Sequence, residues 1–382
     1  PACSVYEECG SCKLSHMDYP EQLKTKESLV REAFAPYSGL KESPVRPILG
    51  MTIPWAYRNY VQVQVASSDS KLIAGIYAAG RIVDTSNCPI QHPDINRTIQ
   101  VVRDTLERNG IDVYNDRTKQ GVIRSIAARR SPESGTILLT LITGVDKLPD
   151  WRSIVQDIRR ALPLVVGISQ NVNSTDTPLI FGVKTNQLWG RHKLDEQFGN
   201  LMLSHSAQDQ ELANFEQSIK LYDVVTEAAA LTGRELVIDT ACGTGTFGLT
   251  LASKAREVRG VESVSAQVAD ARENAIRSNV TNTRFYEGQT EQLLPQWFQE
   301  GIRPDIIVLH PSRTGCDPSL LSAVTAVGPT KLIYISSNPT TLAKDCKALY
   351  AERYVVEWTQ PIDISPQTSI VECCTLLVRK DI

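Results

Sequence analysis

Residues 235–252 read ELVIDTACGTGTFGLTLA. An apolar run ends in Asp239, passes through a loop with glycines at 243 and 245, and re-enters an apolar stretch. Glycine at such a place permits a tight turn and a close approach of backbone to a ligand. This is a strand, a turn and a helix. Downstream, apolar runs at 235–241, 257–263, 283–288, 305–310, 331–336, 354–361 and 372–379 read as strands, with helical segments between most of them. Strands alternating with helices predict a Rossmann-like α/β domain around a seven-stranded, doubly wound, largely parallel sheet. The last run, VECCTLLVRK, follows its predecessor with only a loop between, so it is expected to pair antiparallel. A helix near 211–232 leads into this domain.

Working upstream, residues 45–190 have a different character. YVQVQVA (60–66), LIAGIYA (72–78), GVIRSIAAR (121–129) and TILLTLITG (136–144) alternate or run apolar and are separated by turn residues. They predict an antiparallel β or α+β domain, interrupted by helices near 93–108 and 150–161. YPEQLKTKESLVREAF (19–34) reads as an amphipathic helix with Leu23, Leu29, Val30 and Phe34 on its inner face. The expected division is a cysteine loop at 1–16, a helical linker at 17–44 packing on the last domain, a β-rich domain at 45–204, and the α/β domain at 205–382. No internal repeat or low-complexity segment is visible.

Composition narrows the function. With 40 Lys and Arg against 43 Asp and Glu, the net charge is -3, which excludes a generally basic nucleic-acid binder but leaves room for a local basic face. No apolar run is long enough for a membrane helix, and PACSVYEECGSC lacks the pattern of a signal peptide. Nine cysteines is an odd count, which fits a reducing cytoplasm better than a disulfide framework.

The loop around Gly243 is neither Gly-x-Gly-x-x-Gly nor a P-loop. The next strand ends in Gly260-Val261-Glu262, where an acid can accept hydrogen bonds from ribose hydroxyls. Together these features look like an S-adenosylmethionine site. Cys3, Cys9 and Cys12 are spaced C-x5-C-x2-C, and Cys88 follows far downstream in SNCPIQHP. Four thiolates suit an iron–sulfur cluster or a tetrahedral zinc, and spacing alone does not choose between them.

These residues resemble the S-adenosylmethionine-dependent RNA uracil-5-methyltransferases that carry a [4Fe–4S] cluster. The matches run in order along nearly the whole chain: Cys3, Cys9, Gly10 and Cys12; Tyr57-Arg58-Asn59; Cys88-Pro89; Gln170-Asn171-Val172-Asn173; the loop at Asp239, Gly243 and Gly245; Gly260-Val261-Glu262; 338–345; and 366–372. Members often also open with a β-barrel RNA-binding module, which the given residues do not include. The resemblance implies [4Fe–4S] ligation by Cys3, Cys9, Cys12 and Cys88. It also implies S-adenosylmethionine at Asp239, Gly243, Gly245 and Glu262, with Gln289 and Leu212 at further cofactor positions. The implied substrate is ribosomal or transfer RNA, presenting a single-stranded or looped-out uridine. Arg58, Arg124 and Arg313 are its expected contacts, with Arg81, Arg129 and Arg130 as further candidates, the last two reading by default as a solvated pair. A monomer without a membrane partner is expected.

In the family, a cysteine thiolate adds to C6 of uracil, C5 takes the methyl group, a carboxylate removes the C5 proton, and the cysteine is eliminated. Glu372 falls at the general-base position. The nucleophile position, however, holds Ser337 within Ile335-Ser336-Ser337-Asn338-Pro339. A thiol of pKa ~8.5 is several per cent ionised at neutral pH, whereas a hydroxyl needs an adjacent base. Turnover is therefore expected to fall by several orders of magnitude. Further departures are His310 where an acid is expected, Leu212 for a glutamine, Gln289 for an aspartate, Ala241 for an aromatic, Tyr60 for a lysine, Pro178 for an asparagine and Ile370 for a histidine. His310, Ser337 and Glu372 also compose a Ser–His–acid set. The resemblance thus implies a uracil-5-methyltransferase of weakened or lost activity; the alternative is a non-catalytic RNA-binding protein that retains the cluster.

Overall fold

A computed structural model describes residues 2–175, 179–209 and 211–380; Pro178 and Gln210 lie outside them. The chain forms two compact units, Pro1–His16, Ile53–Glu196 and Ser204–Phe215 in the first, and Met17–Thr52, Gln197–Leu203 and Glu216–Ile382 in the second. Residues 45–52 thus group with the second unit and 204–215 with the first.

In chain order, α1 (Tyr6–Cys9) belongs to the first unit and α2 (Tyr19–Phe34) to the second. The first unit continues with β1 (Tyr60–Ser68), β2 (Lys71–Ala78), β3 (Arg81–Asp84), α3 (Pro93–Arg108), β4 (Ile123–Arg130), β5 (Ile137–Thr143), α4 (Trp151–Ala161), β6 (Val165–Val172) and β7 (Lys184–Gly190). Its sheet has the order β3-β2-β1-β4-β5-β6-β7. Pairing is antiparallel except between β5 and β6, which run parallel because α4 carries the chain back across the sheet. An all-antiparallel reading of the alternating runs misses this crossover.

Ile95, Ile99, Val102 and Leu106 give α3 a continuous apolar stripe, and they join Val61, Val63, Ile126 and Leu139 in one core. Next to this core lies a buried polar cluster. Arg129 is 3% exposed; it donates to the carbonyls of Asp209 (2.7 Å) and Glu211 (3.0 Å) and pairs with Glu196 at 3.4 Å. His205 Nδ1 bonds the Asp209 carboxylate. Burial works against the Asp209 charge, but the His205 bond and the Arg129 charge hold its pKa below the usual range. Arg130 pairs with Asp94 at 2.9 Å. The solvated pair expected at 129–130 is therefore corrected: strand alternation and a nearby acid turn both arginines into internal ties.

The hairpin β8 (Lys193–Phe198) and β9 (Leu201–Ser206) precedes α5 (Phe215–Ala229). The second unit then runs β10 (Leu236–Asp239), α6 (Thr246–Ala252), β11 (Glu257–Glu262), α7 (Ser265–Arg277), β12 (Thr283–Glu287), α8 (Thr290–Gln299) and β13 (Ile306–Leu309). It ends with α9 (Pro318–Val327), β14 (Lys331–Ser336), α10 (Pro339–Ala351), β15 (Tyr354–Ile362) and β16 (Glu372–Arg379). Strand order is β12-β11-β10-β13-β14-β16-β15. The first five are parallel, and β16 is antiparallel to both neighbours, as its short connection predicts.

The inner face of α2 differs from the apolar reading. Gln22, Lys26, Val30 and Phe34 are buried at four-residue spacing, whereas Leu29 is 39% exposed. The polar members are buried because they have partners: Lys26 pairs with Asp363 and donates to the Ser365 carbonyl (2.9 Å), and Gln22 exchanges two hydrogen bonds with Gln367. Residues 44–49 follow and hydrogen-bond along the outer edge of β15, through Arg46 to Thr359 and Leu49 to Pro361, which closes that sheet edge.

Truncating one member of a buried ion pair strands the other charge. Arg129→Met, which leaves the buried Glu196 without its arginine and the Asp209 and Glu211 carbonyls without their donor, is expected to lose about 3–5 kcal/mol of stability. Urea unfolding followed by circular dichroism checks this; an unshifted midpoint would show that the cluster carries no net stability.

Candidate active site

Five parallel strands end at one edge of the second sheet, and the strand order reverses between β10 and β13. Open α/β sheets bind ligands in the crevice at such a switch point. Asp239 closes β10 there, fully buried, in register with Gly260 of β11 and Val308 of β13. Gly243 (φ +53°) and Gly245 (φ +90°) then turn the chain into α6. A Cβ on Gly245 would stand 2.9 Å from a ring carbon of Phe285 and 3.0 Å from Ala271 Cβ, so only glycine fits. Cys242 is buried and anchors the loop through its N–H to the Val261 carbonyl (2.9 Å). Glu262, at the end of β11, accepts from the Gly243 N–H (3.2 Å) and from the Val264 N–H (2.9 Å). Asp239, Gly243, Gly245 and Glu262 are thus one connected group. Gln289 caps α8 at the end of the next strand and is exposed.

The same edge carries the reactive positions. His310 directly follows β13, and Ser337 directly follows β14. Ser336 is in register with Cys373, so the antiparallel β16 starts at this edge and places Glu372 there. The His310 ring meets Phe247 edge-on at 5.5 Å, and Phe247 stacks on Tyr222 at 4.2 Å. Burial lowers the His310 pKa to about 4, so it stands neutral at neutral pH. Burial raises the Glu372 pKa to about 8, partly offset by the Arg313 charge, and its Oε1 has no hydrogen-bond partner in the structure. Among the described residues no hydrogen bond joins Ser337, His310 and Glu372, so they do not form an assembled Ser–His–acid relay.

The motif at 338–345 braces the loop after β13. Asn338 caps α10 and donates to the Arg313 carbonyl at 2.8 Å. Asp345 accepts from the Cys316 N–H (2.8 Å) and from the Tyr334 hydroxyl (2.5 Å). The loop before Glu372 is braced in turn by α2. Asp363 accepts from Lys26 and from the Tyr19 hydroxyl (2.8 Å), and Gln217 donates to its carbonyl (3.0 Å). Sequence reading overlooks Tyr19, Gln22 and Lys26 as site supports. The available signal is a polar i, i+4 pair on the helix face that continues into Val30 and Phe34.

The first unit holds the remaining candidates. Cys3, Cys9, Cys12 and Cys88 line one cavity together with Trp55, Arg58 and Ile76. Asn96 clasps Cys88 by its N–H (3.2 Å) and carbonyl (2.9 Å). Burial and the neighbouring thiols push Cys12 up to about 12, with the Arg58 charge acting against them. Among the described residues no group of three or more His, Cys, Asp or Glu side chains is set to hold a single metal ion. Arg124 pairs with Asp116 (2.8 Å) beside the Tyr114 ring, Arg81 pairs with Glu8 (2.5 Å), and Leu212 is buried at φ +61°. Gln170, Asn171 and Asn173 are spent on backbone carbonyls at 145, 182 and 179, and so shape the loop after β6.

The strand order, the glycine turn and the acid at the end of β11 define a Rossmann-like methyltransferase fold. A family model for a methyltransferase domain matches residues 232–354. The chain is 44% identical over 382 residues to a Bacillus cereus protein named an uncharacterized RNA methyltransferase, covering 99% of this chain and 83% of the relative. It is 40% identical over 382 residues to a likewise named Halalkalibacterium halodurans protein, covering 99% and 82%. The chain therefore belongs to the RNA methyltransferase family. Its fold matches the crystal structure of Pyrococcus abyssi tRNA (uracil-54, C5)-methyltransferase in complex with S-adenosyl-L-homocysteine, with TM-score 0.78 and 22% identity, over 96% of this chain and 85% of that one. Among the described residues no helix is long and apolar enough to cross a membrane.

The Glu372 shift has a measurable consequence. The unfolded chain ionises this group near its ordinary 4.5, while the fold keeps it protonated up to about 8. The folded state binds the extra proton, so this group lowers stability as pH rises between those values. Glu372→Gln, which mimics the protonated form, is expected to match the parent near pH ~4 and to exceed it by roughly 3–5 kcal/mol above pH ~8. Denaturant midpoints across this range check it; a constant difference would refute the buried-acid assignment.

Proposed function

We propose that this RNA methyltransferase descends from enzymes that methylate C5 of uridine with S-adenosylmethionine, and that its nucleophile position, now Ser337, leaves it with weak or no turnover. The observation that carries the reading is the meeting of Ser337, Glu372 and His310 at the sheet edge that also bears the glycine loop. The backbone at 243–245 and the Glu262 carboxylate fit a nucleoside with a short polar tail, and they hold S-adenosylmethionine in this reading. That cofactor supplies an electrophilic methyl group. Glu372, buried and with its pKa raised to about 8, is the base in this reading, and it accepts the C5 proton only in its ionised form, which is the minority at neutral pH. His310 is neutral and offers a hydrogen bond in place of a negative charge. Arg313, exposed beside Glu372, meets the RNA backbone.

In the first unit, Cys3, Cys9, Cys12 and Cys88 hold a [4Fe–4S] cluster in the same reading. The four thiols line one cavity, and a group bound there staples the N-terminal loop to β2 and the Cys88 turn. Serine at 337 also favours a second reading, a non-catalytic RNA-binding protein that keeps the cluster.

Methyl transfer from labelled S-adenosylmethionine to unmodified RNA, run beside Ser337→Cys, tests the first reading. The variant is expected to exceed the parent by at least ~10³-fold, because a thiol supplies the thiolate that the hydroxyl lacks. Equal rates would overturn the role given to position 337. If neither protein turns over nor binds cofactor by calorimetry while RNA still binds, the second reading stands. Anaerobic loading with iron and sulfide is expected to give broad visible absorbance, lost in Cys12→Ala and Cys88→Ala. A colourless protein that takes up zinc would refute the cluster.

A further inference from the structure

The chain carries net negative charge, so a surface that meets RNA must concentrate its cations locally. Outside the sites described above, one surface of the first unit does so. An open groove of about 420 Å³ lies against the last turn of α4 and the end of β7, lined by Gln156, Arg159, Arg160, Pro163, Val165 and Trp189. The Arg159 guanidinium lies 4.1 Å from the centre of the Trp189 ring. The Arg191 N–H donates to the Val166 carbonyl (2.9 Å), which holds the Arg191 backbone next in the fold to the lining residue Val165. At the other end of α4, Arg152 stands 4.7 Å over Trp151.

The charges here are not spent internally. Arg152, Arg159 and Arg191 are exposed and form no ion pair among the described residues; Arg160 reaches Asp157 only at 3.9 Å. Asp157 is the single acid in the stretches 151–165 and 189–193. This contrasts with Arg81, Arg124, Arg129 and Arg130, each of which is held by a carboxylate.

We infer that this groove is a contact surface for single-stranded RNA, in which Arg160 and Arg191 meet phosphates and the Arg159–Trp189 stack meets a base. The inference rests on the RNA substrate of the proposed function and assigns that substrate a second footing away from the reactive edge. Guanidinium planes and aromatic rings both stack bases, and stacking tolerates any sequence. Neutralised phosphates release counterions, so each arginine in contact adds about one unit to the salt dependence of binding. A protein partner fits less well, because the groove is fringed by arginines that form no close ion pair among the described residues, with a single tryptophan as its large apolar side chain.

Fluorescence anisotropy of a labelled, uridine-containing oligoribonucleotide of about 12 nucleotides, titrated at several salt concentrations, tests this. Arg159→Gln/Arg160→Gln is expected to bind about tenfold more weakly and to lose about one to two units of salt slope. Lys71→Gln/Arg117→Gln, exposed in the same unit but outside the groove, is expected to change affinity less than about twofold. Trp189→Leu is expected to lose about fivefold or more, and Trp189→Phe to retain most of the affinity, because only the latter keeps a stacking face. The Phe variant also separates lost stacking from lost packing, since Trp189 borders the core of the first unit. Parent-like binding by the arginine double variant, or an equal loss in the control, would overturn the groove while leaving the RNA reading intact. A parent with no affinity for RNA would overturn both.

Discussion

The carboxyl ends of β10, β11, β12, β13 and β14 lie at one edge of the second unit's sheet, and the chemistry follows from that alignment. A parallel strand must be regained by a crossover, so the loops that leave the strands gather at one edge while the crossovers return to the other. The glycine loop, His310 and Ser337 follow directly on strands and Glu262 is the last residue of one, and they gather at one edge for that reason. Glu372 joins them by the opposite device. Its strand is inserted antiparallel between β14 and β15, so its first residue, not its last, reaches the same edge.

The edge is held in shape by polar ties between segments distant in sequence. Asp345 in α10 holds the loop after β13, and Lys26, Gln22 and Tyr19 in α2 hold the loop before Glu372. Burying Lys26 opposite Asp363 lowers the lysine's pKa through desolvation, and the Asp363 charge offsets this. A buried pair of this kind contributes little net stability but is costly to break, which favours one position of the loop over others. The helix at 19–34 is therefore a brace for the site as well as a packing element.

The electrostatics of the edge are unusual for a site of proton transfer. His310 is neutral, Glu372 holds its proton to about pH 8, and the residue after β14 is a serine. At neutral pH the reactive positions carry little charge, with Arg313 the cation nearby.

Much of this was legible in the amino-acid sequence. Period-two and apolar runs marked all seven strands of the second unit, and helical periodicity marked α2 at 19–34. The glycine turn, the acid at 262 and the serine at 337 could be read locally, because backbone conformation and side-chain reactivity are properties of the residue itself. Three matters could not be. The parallel pairing of β5 with β6 depends on where α4 returns the chain. The burial of Gln22, Lys26 and Arg129, which composition assigns to the surface, depends on partners up to several hundred residues away. The contrast between Arg159, left for a partner, and Arg130, spent on Asp94, depends on which acid the fold brings near. Sequence by itself determined the strands of the second unit and the residue types at its edge, since both are set by near neighbours; only the tertiary structure decided which polar groups are satisfied inside and which face solvent, since that is set by contacts across the fold.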